Sequence, residues 1–194
     1  MTPRAPYSIS DHLAWAHWWA FPWKPSHQSW RSPDRFPAID ALERMASLVP
    51  SAIAAIAPCL PPAPHPTEVR LALASTEQLN LMLALLQSTC RPEDAAPLSK
   101  SHHQWCIGLS KALPPDMLLY KDDPLQLLRT WLNPATWQRL RLRFPCERVI
   151  EMEKTTLSLE HSNSRLNTLW QAVVWRATAT THDTTSPGSH EQGA

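Results

Sequence analysis

The residues best suited to metal or nucleophile chemistry lie in the short stretch HHQWC, residues 102–106. On a helix His102 is four positions from Cys106 and His103 is three positions from it, so either pair could share a face. Zinc favours imidazole and thiolate ligands, but a structural zinc site needs four of them, and the remaining cysteines form no CxxC pair. We therefore interpret the stretch as a solvent-facing histidine pair beside a buried cysteine that packs as a small apolar side chain.

A cysteine nucleophile activated by a distant histidine is the second chemical possibility. Cys106 or Cys146 could serve, but nothing near either thiol in the sequence marks it as activated. The neighbouring carboxylates Asp122 and Asp123 are explained by a helix start, where the helix dipole favours negative charge. Loops that cradle phosphates need glycine, and the 194 residues include only three. We therefore expect no catalytic residue, cofactor, metal or small-molecule substrate, and predict that the protein is not an enzyme.

Three arginines alternate with apolar residues in NPATWQRLRLRFP, residues 133–145. The alternation has the period of a half-buried strand, whereas Asn133 followed by Pro134 is a favourable helix start. No partner strand is evident, and we therefore predict a helix of about three turns that ends at Pro145. This helix would place Trp137, Leu140 and Phe144 in the core, with Arg139 and Arg143 solvated or facing an acidic partner.

The same arginines raise the possibility of nucleic-acid binding. A recognition helix must present side chains that can reach bases, but the predicted helix divides its three arginines between two faces. The formal net charge is only +1, whereas nucleic-acid-binding domains are usually clearly basic. The acidic stretch CERVIEMEK, residues 146–154, would also repel phosphates. For the main function we expect no nucleic acid as a partner. The alternative function is a helical nucleic-acid-binding regulator that uses Arg139 and Arg143.

The elements that position these residues are predicted to be helices separated by prolines, of which the chain has 20. Ser75 and Gln78 form a capping-box pattern at the start of a leucine-rich helix. A cap at Asp122 or Asp123 opens a later helix. Neither Asn-Gly nor Asp-Gly, the dipeptides of tight hairpins, occurs in the chain. We predict a mainly α fold, with a buried stripe on the leucine-rich helix made of Leu79, Met82, Leu83 and Leu86.

The chain is predicted to form a single compact multi-helix domain with extensions at both ends. A Trp/Pro-rich N-terminal arm covers residues 1–36 and the helical domain covers residues 37–176. Within that domain, residues 58–66 contain five prolines and are predicted to be a stiff connector. Residues 177–194 are predicted to be a disordered polar tail. The pattern of a signal peptide and the about 18 apolar residues of a membrane span are both missing, so we expect a cytoplasmic protein without direct membrane insertion.

Tryptophan is concentrated in the N-terminal arm, although the whole chain has ten. Trp15, Trp18 and Trp19 share one face of a predicted helix that ends at Pro22. Such a cluster can pack on its own domain, or it can anchor a partner, because tryptophan dominates interface hot spots. The candidate protein interface therefore consists of Trp15, Trp18, Trp19 and Trp23 in the arm, together with Arg139 and Arg143.

The stretch WLNPATWQRLRLRFP, residues 131–145, resembles a segment of the SctK class of cytosolic accessory proteins of bacterial type III secretion systems, particularly its Hrp branch. The Trp/Pro-rich N-terminal part and the leucine-rich helix LALASTEQLNLMLALL are also similar to that class. The resemblance implies a non-enzymatic scaffold of the injectisome sorting platform, at the cytoplasmic face of the inner membrane. The implied partners are the cytoplasmic domain of an inner-membrane ring protein and the C-ring-like pod protein.

Overall fold

A computed structural model describes residues 9–31, 56–57, 59–91, 97–112, 123–155 and 163–179. Every regular element in these ranges is helical, which confirms the mainly α fold. The α-helices are α1 (Ile9–Ala20), α2 (Pro66–Leu73), α3 (Thr76–Cys90), α4 (Lys100–Ser110), α5 (Pro124–Trp131), α6 (Pro134–Leu140), α7 (Cys146–Glu153) and α8 (Asn163–Ala179). Two short 3-10 helices, η1 (Gln28–Arg31) and η2 (Arg141–Arg143), join them.

The helix starts follow the side chains that the sequence offers as caps. Ser75 accepts a hydrogen bond from Gln78 N at 3.1 Å, and Gln78 Oε1 accepts one from Ser75 N at 2.9 Å. Asp123 accepts from Leu125 N at 2.9 Å, and Asn133 accepts from Thr136 N at 2.8 Å. Each cap satisfies an N–H group that has no partner within its own helix. The capping box before α3 and the caps at Asp123 and Asn133 are therefore confirmed.

Helix α3 lies at the centre of the packing, in contact with α4, α5 and α8. The structure buries the four members of the predicted stripe, Leu79, Met82, Leu83 and Leu86. Helix α8 crosses α2, α3 and α5, and its Trp170 is fully buried, with its ring stacked on that of Trp131 at 5.7 Å between centroids. Helix α1 packs on α2. The described helices therefore share one apolar core.

Two predicted boundaries need correction. The stretch 133–145 is α-helical only from Pro134 to Leu140 and continues as the 3-10 turn η2, so the α-helix is shorter than three turns. The chain is already extended at Phe144, because the residue before a proline is disfavoured in the α conformation. At the other end, α8 continues to Ala179, and Ala177 is buried, so the helix enters the predicted tail. The rest of that tail, from residue 180, lies outside the described residues.

Candidate functional site

The tryptophans of the N-terminal arm point into the molecule. Trp15, Trp18 and Trp19 are at most 4% exposed, and the ring of Trp15 lies 5.2 and 5.5 Å from the other two. Trp23 is half-buried and meets the ring of Phe21 edge-on at 5.5 Å. Of the two roles left open for this cluster, packing on its own domain is the one that the structure displays. In this conformation the three rings of α1 do not form an exposed anchor.

The end of the arm is hydrogen-bonded to the arginine-rich stretch. The indole N–H of Trp30 donates to the carbonyl oxygen of Phe144 at 2.8 Å, in a buried setting. The backbone N–H of His27 donates to Leu142 O at 2.7 Å. The backbone N–H of Cys146 donates to the hydroxyl of Ser29 at 2.8 Å. Residues 27–30 therefore satisfy polar groups where η2 ends and α7 begins, which ties the arm to the domain.

Arg139 connects the arm to α6 from inside the protein. Its side chain is 4% exposed, and its Nε, Nη1 and Nη2 donate to the carbonyl oxygens of Trp19, Ala135 and Ala57 at 3.2, 3.0 and 3.4 Å. The guanidinium carbon also lies 3.9 Å from the centroid of the Trp19 ring. Burial lowers the pKa of Arg139 from its ordinary value. This arginine therefore serves neutral acceptors and an aromatic face.

Arg143 binds the C-terminal end of α2. It is 9% exposed, and its Nη2 and Nη1 donate to the carbonyl oxygens of Ala74 and Ala72 at 2.8 and 3.4 Å. The last carbonyl groups of a helix lack partners within the helix and carry partial negative charge, so a cation is favoured there. Burial lowers the pKa of Arg143. The side chain therefore joins the end of α2 to η2.

Arg141 and Trp137 meet at one carboxylate. Arg141 Nη1 lies 3.0 Å from Glu153 Oε2, and the indole N–H of Trp137 donates to Glu153 Oε1 at 2.8 Å. Glu153 belongs to the acidic stretch that follows the arginines in the sequence. The ring of Trp137 is 5% exposed, and Leu140 and Phe144 are also buried. One acidic side chain therefore holds α6, η2 and α7 together.

The prediction that Arg139 and Arg143 are solvated or face a partner is wrong for this structure. Both guanidinium groups are occupied by carbonyl oxygens, which include that of Trp19 near the end of α1 for Arg139 and that of Ala74 at the end of α2 for Arg143. Helix ends supply such unpaired acceptors, and a long side chain from η2 or α6 can reach them. From these positions neither arginine can contact a nucleic-acid phosphate. Sequence reasoning missed this because four of the five acceptors lie 69 to 120 residues away along the chain.

An open groove beside α2 had no counterpart in the predicted sites. It has a volume of about 390 Å³ and runs between α1, α2 and α8. The guanidinium carbon of Arg70 lies 3.5 Å from the centroid of the Trp175 ring, and its Nη1 donates to the Thr178 hydroxyl at 3.2 Å. Leu73 and Trp175, which line the groove, are 43% and 45% exposed. The groove therefore presents two large apolar side chains, each partly exposed, beside a cation.

The HHQWC stretch lies on α4 with its cysteine in the core. Cys106 is fully buried, and its thiol donates to Leu85 O at 3.5 Å. Burial raises the pKa of the Cys106 thiol, while burial and the nearby Arg176 lower the pKa of His102. No group of three or more His, Cys, Asp or Glu residues in the described ranges is arranged to hold a metal. The described helices are also each too short or too polar to cross a membrane.

Comparisons with known proteins returned no match: no family model fits the sequence, no curated protein is similar to it, and no solved structure is similar in fold.

Proposed function

We propose that the protein is a non-enzymatic scaffold of a type III secretion apparatus, bridging the inner-membrane ring and the cytoplasmic sorting-platform pod. The observation that carries a scaffold function is the groove in which Arg70 is stacked on the half-exposed ring of Trp175. Arginine and tryptophan are the residues most enriched at the energetic centres of protein interfaces. The resemblance of residues 131–145 supplies the identity of the apparatus and of the two partners.

The packing of the resembling stretch supports this proposal. Arg139 and Arg143 bind carbonyl groups near the ends of α1 and α2, and Trp30 donates to Phe144 O. The arm, α2, α6 and α7 are thereby held in one arrangement. A bridging protein benefits from such an arrangement, because two partners bound to one rigid body keep a defined relative position.

The alternative function, a nucleic-acid-binding regulator, needs the arginines of the 133–145 stretch at the surface. Electrostatic contact with phosphates requires accessible cations. Arg139 and Arg143 are 4% and 9% exposed and are already bound to carbonyl oxygens. We therefore do not retain this alternative.

The proposal is tested by co-purification in a strain that encodes a type III secretion apparatus. The full chain is expressed with an affinity tag, and retention of the ring protein's cytoplasmic domain and of the pod protein is measured. We expect both proteins to be retained by the wild type and at least one to be lost with Trp175→Ala. Ile150→Ala is the matched control, because Ile150 is 43% exposed on α7, away from the groove-lining residues. Retention of neither protein by the wild type would refute the proposed function.

A further inference from the structure

We propose that the groove between α2 and α8 binds a protein segment that carries a carboxylate side chain next to an apolar one, with Arg70 as the receptor for the carboxylate. This inference rests on the proposed scaffold function only for the source of the segment, which would be a secretion-apparatus protein. The binding chemistry itself follows from the groove.

Arg70 is held in a fixed orientation. Its guanidinium carbon lies 3.5 Å from the centroid of the Trp175 ring, and Nη1 donates to the hydroxyl of Thr178. The Thr178 hydroxyl in turn donates to Val174 O at 2.9 Å. A guanidinium group stacked in this way keeps its remaining N–H groups in one plane, and that fork matches the two oxygens of a carboxylate. Little side-chain entropy is left to be lost when a carboxylate binds.

Within the described ranges, Arg70 has no acidic or backbone partner, unlike the four arginines of the 139–148 region. Arg141 pairs with Glu153 at 3.0 Å, and Arg148 pairs with Asp123 at 2.7 Å. Arg139 and Arg143 bind carbonyl oxygens. Arg70 has the Trp175 ring and one hydroxyl. Charge complementarity therefore favours an acidic group in the groove.

The wall beside Arg70 is apolar and would select an uncharged neighbour of that acid. Val69 is 4% exposed and Leu73 is 43% exposed, and both line the groove. A volume of about 390 Å³ holds side chains of a peptide rather than a single ion. The Arg70 guanidinium lies against Trp175 and Thr178 of α8. The carboxylate of the bound segment is therefore expected at the α8 side of the groove.

The test uses peptides that are independent of any secretion protein. A phage-displayed library of random 12-residue peptides is selected on the full-length chain. We expect the recovered sequences to carry Asp or Glu within one or two positions of Leu, Ile, Met or Phe. A synthetic copy of the best peptide is then titrated by fluorescence anisotropy. Glu→Gln in the peptide or Arg70→Gln in the protein should each weaken binding roughly tenfold or more, the range for a charged hydrogen bond.

Combining the two changes, and testing control variants, shows whether Arg70 contacts the carboxylate of the peptide. The peptide change and Arg70→Gln together should weaken binding no further than either alone, because both remove the same pair. Arg165→Gln, at an exposed arginine on the same helix α8, should leave binding unchanged. Arg70→Lys keeps the charge but loses the planar fork, so an intermediate affinity is expected. The peptide variant needs no protein change, so the test stands even if Arg70→Gln unfolds the chain.

Several results would overturn the inference. These are recovery of no peptide, recovery of peptides without an acid, or equal binding by Arg70→Gln that melts like the wild type. Peptide binding that appears only after removal of residues 180–194 would assign the groove to the chain's own tail. Self-association that Arg70→Gln abolishes would assign it to a second copy. A chain that selects acidic peptides but retains neither secretion protein keeps this inference and loses the proposed function. A chain that retains the secretion proteins but selects no acidic peptides keeps the proposed function and loses this inference.

Discussion

Arg139→Ala is expected to destabilise the fold by about 3 kcal/mol, the most informative change for the interior arrangement. The substitution removes three donors, so the carbonyl oxygens of Trp19, Ala57 and Ala135 lose their guanidinium partner. It also removes the cation from the face of the Trp19 ring, 3.9 Å away. The wild-type side chain is 4% exposed, so water cannot take its place without local opening.

The magnitude follows from opposing contributions. A hydrogen bond to a charged group contributes roughly 1.5–3 kcal/mol, and a desolvated cation–π contact about 2 kcal/mol. The 3.4 Å bond to Ala57 is long and contributes less than the others. Against these gains stands the cost of burying a cation, which is several kcal/mol. A net loss of about 3 kcal/mol corresponds to roughly 6–12 °C in Tm for a chain of this size.

The assay is urea unfolding followed by far-UV circular dichroism, combined with amide hydrogen exchange. Arg139 binds the carbonyl of Trp19 near the end of α1, so exchange should accelerate more in α1 than in α3. Arg139→Lys should lose less stability than alanine, because the ammonium group can still reach one carbonyl. Arg165→Ala, at an exposed position, should stay within about 0.5 kcal/mol of the wild type.

A loss below about 1 kcal/mol with unchanged exchange in α1 would refute the reasoning, since surface substitutions produce changes of that size. It would mean that the guanidinium group is solvated in solution. Arg139 would then return as a candidate surface residue, as the sequence alone suggested.

Three further expectations concern a tryptophan and two cysteines. Trp137→Ala should lose about 3–5 kcal/mol in thermal melts, because the ring is 5% exposed and its N–H is bonded to Glu153; a change below 1 kcal/mol would contradict core packing. In thiol titration of the native protein at pH 8, Cys59 should react first because it is exposed, and Cys59→Ser should lack that fast phase. Burial raises the pKa of the Cys90 thiol from 9.0 to about 11. The folded protein therefore keeps this proton at a pH where the unfolded chain loses it, and the resulting stability is fully present below pH 9 and is lost as the pH rises towards 11. Wild-type stability should therefore fall relative to Cys90→Ala over this range, by up to about 2–3 kcal/mol in urea unfolding, and parallel pH profiles would contradict the assignment.

The parts of the fold that the sequence predicts are those set by local contacts. The caps at Ser75, Asp123 and Asn133 use bonds to residues two or three positions away, so the pattern of residue types contains the whole interaction. The apolar stripe of α3 is also local, because helical spacing alone places its leucines on one face. Confirmed helix starts and the mainly α fold follow from such short-range information.

The candidate site could not be predicted in the same way, because its contacts join distant parts of the chain. The acceptors of Arg139 and Arg143 are backbone carbonyls, which every residue has, so no residue type marks them. Arginine is rarely buried without a charged partner, and that rule favoured the prediction that Arg139 and Arg143 are exposed to solvent. Two tryptophans of α8 show the same limit, since Trp170 is fully buried and Trp175 is 45% exposed, five positions apart on one helix.

In the proposed scaffold, loss of a buried arginine and loss of the groove arginine should have different effects on stability and on partner binding. Arg139 and Arg143 are bound to carbonyl oxygens, so their loss should lower stability and reduce partner binding only as far as the fold is lost. Arg70 is stacked on an exposed ring and has room beside it, so its loss should reduce binding while the melting temperature stays close to the wild type.

If residues 131–145 resemble secretion proteins because they organise the interior, stability should depend on the arginines of that stretch and partner binding should depend on the groove. A variant set of Arg139→Ala, Arg143→Ala and Arg70→Gln, measured for both properties, separates an architectural motif from a binding motif. Loss of binding by Arg139→Ala at a temperature where it remains fully folded would place the partner surface on the stretch itself.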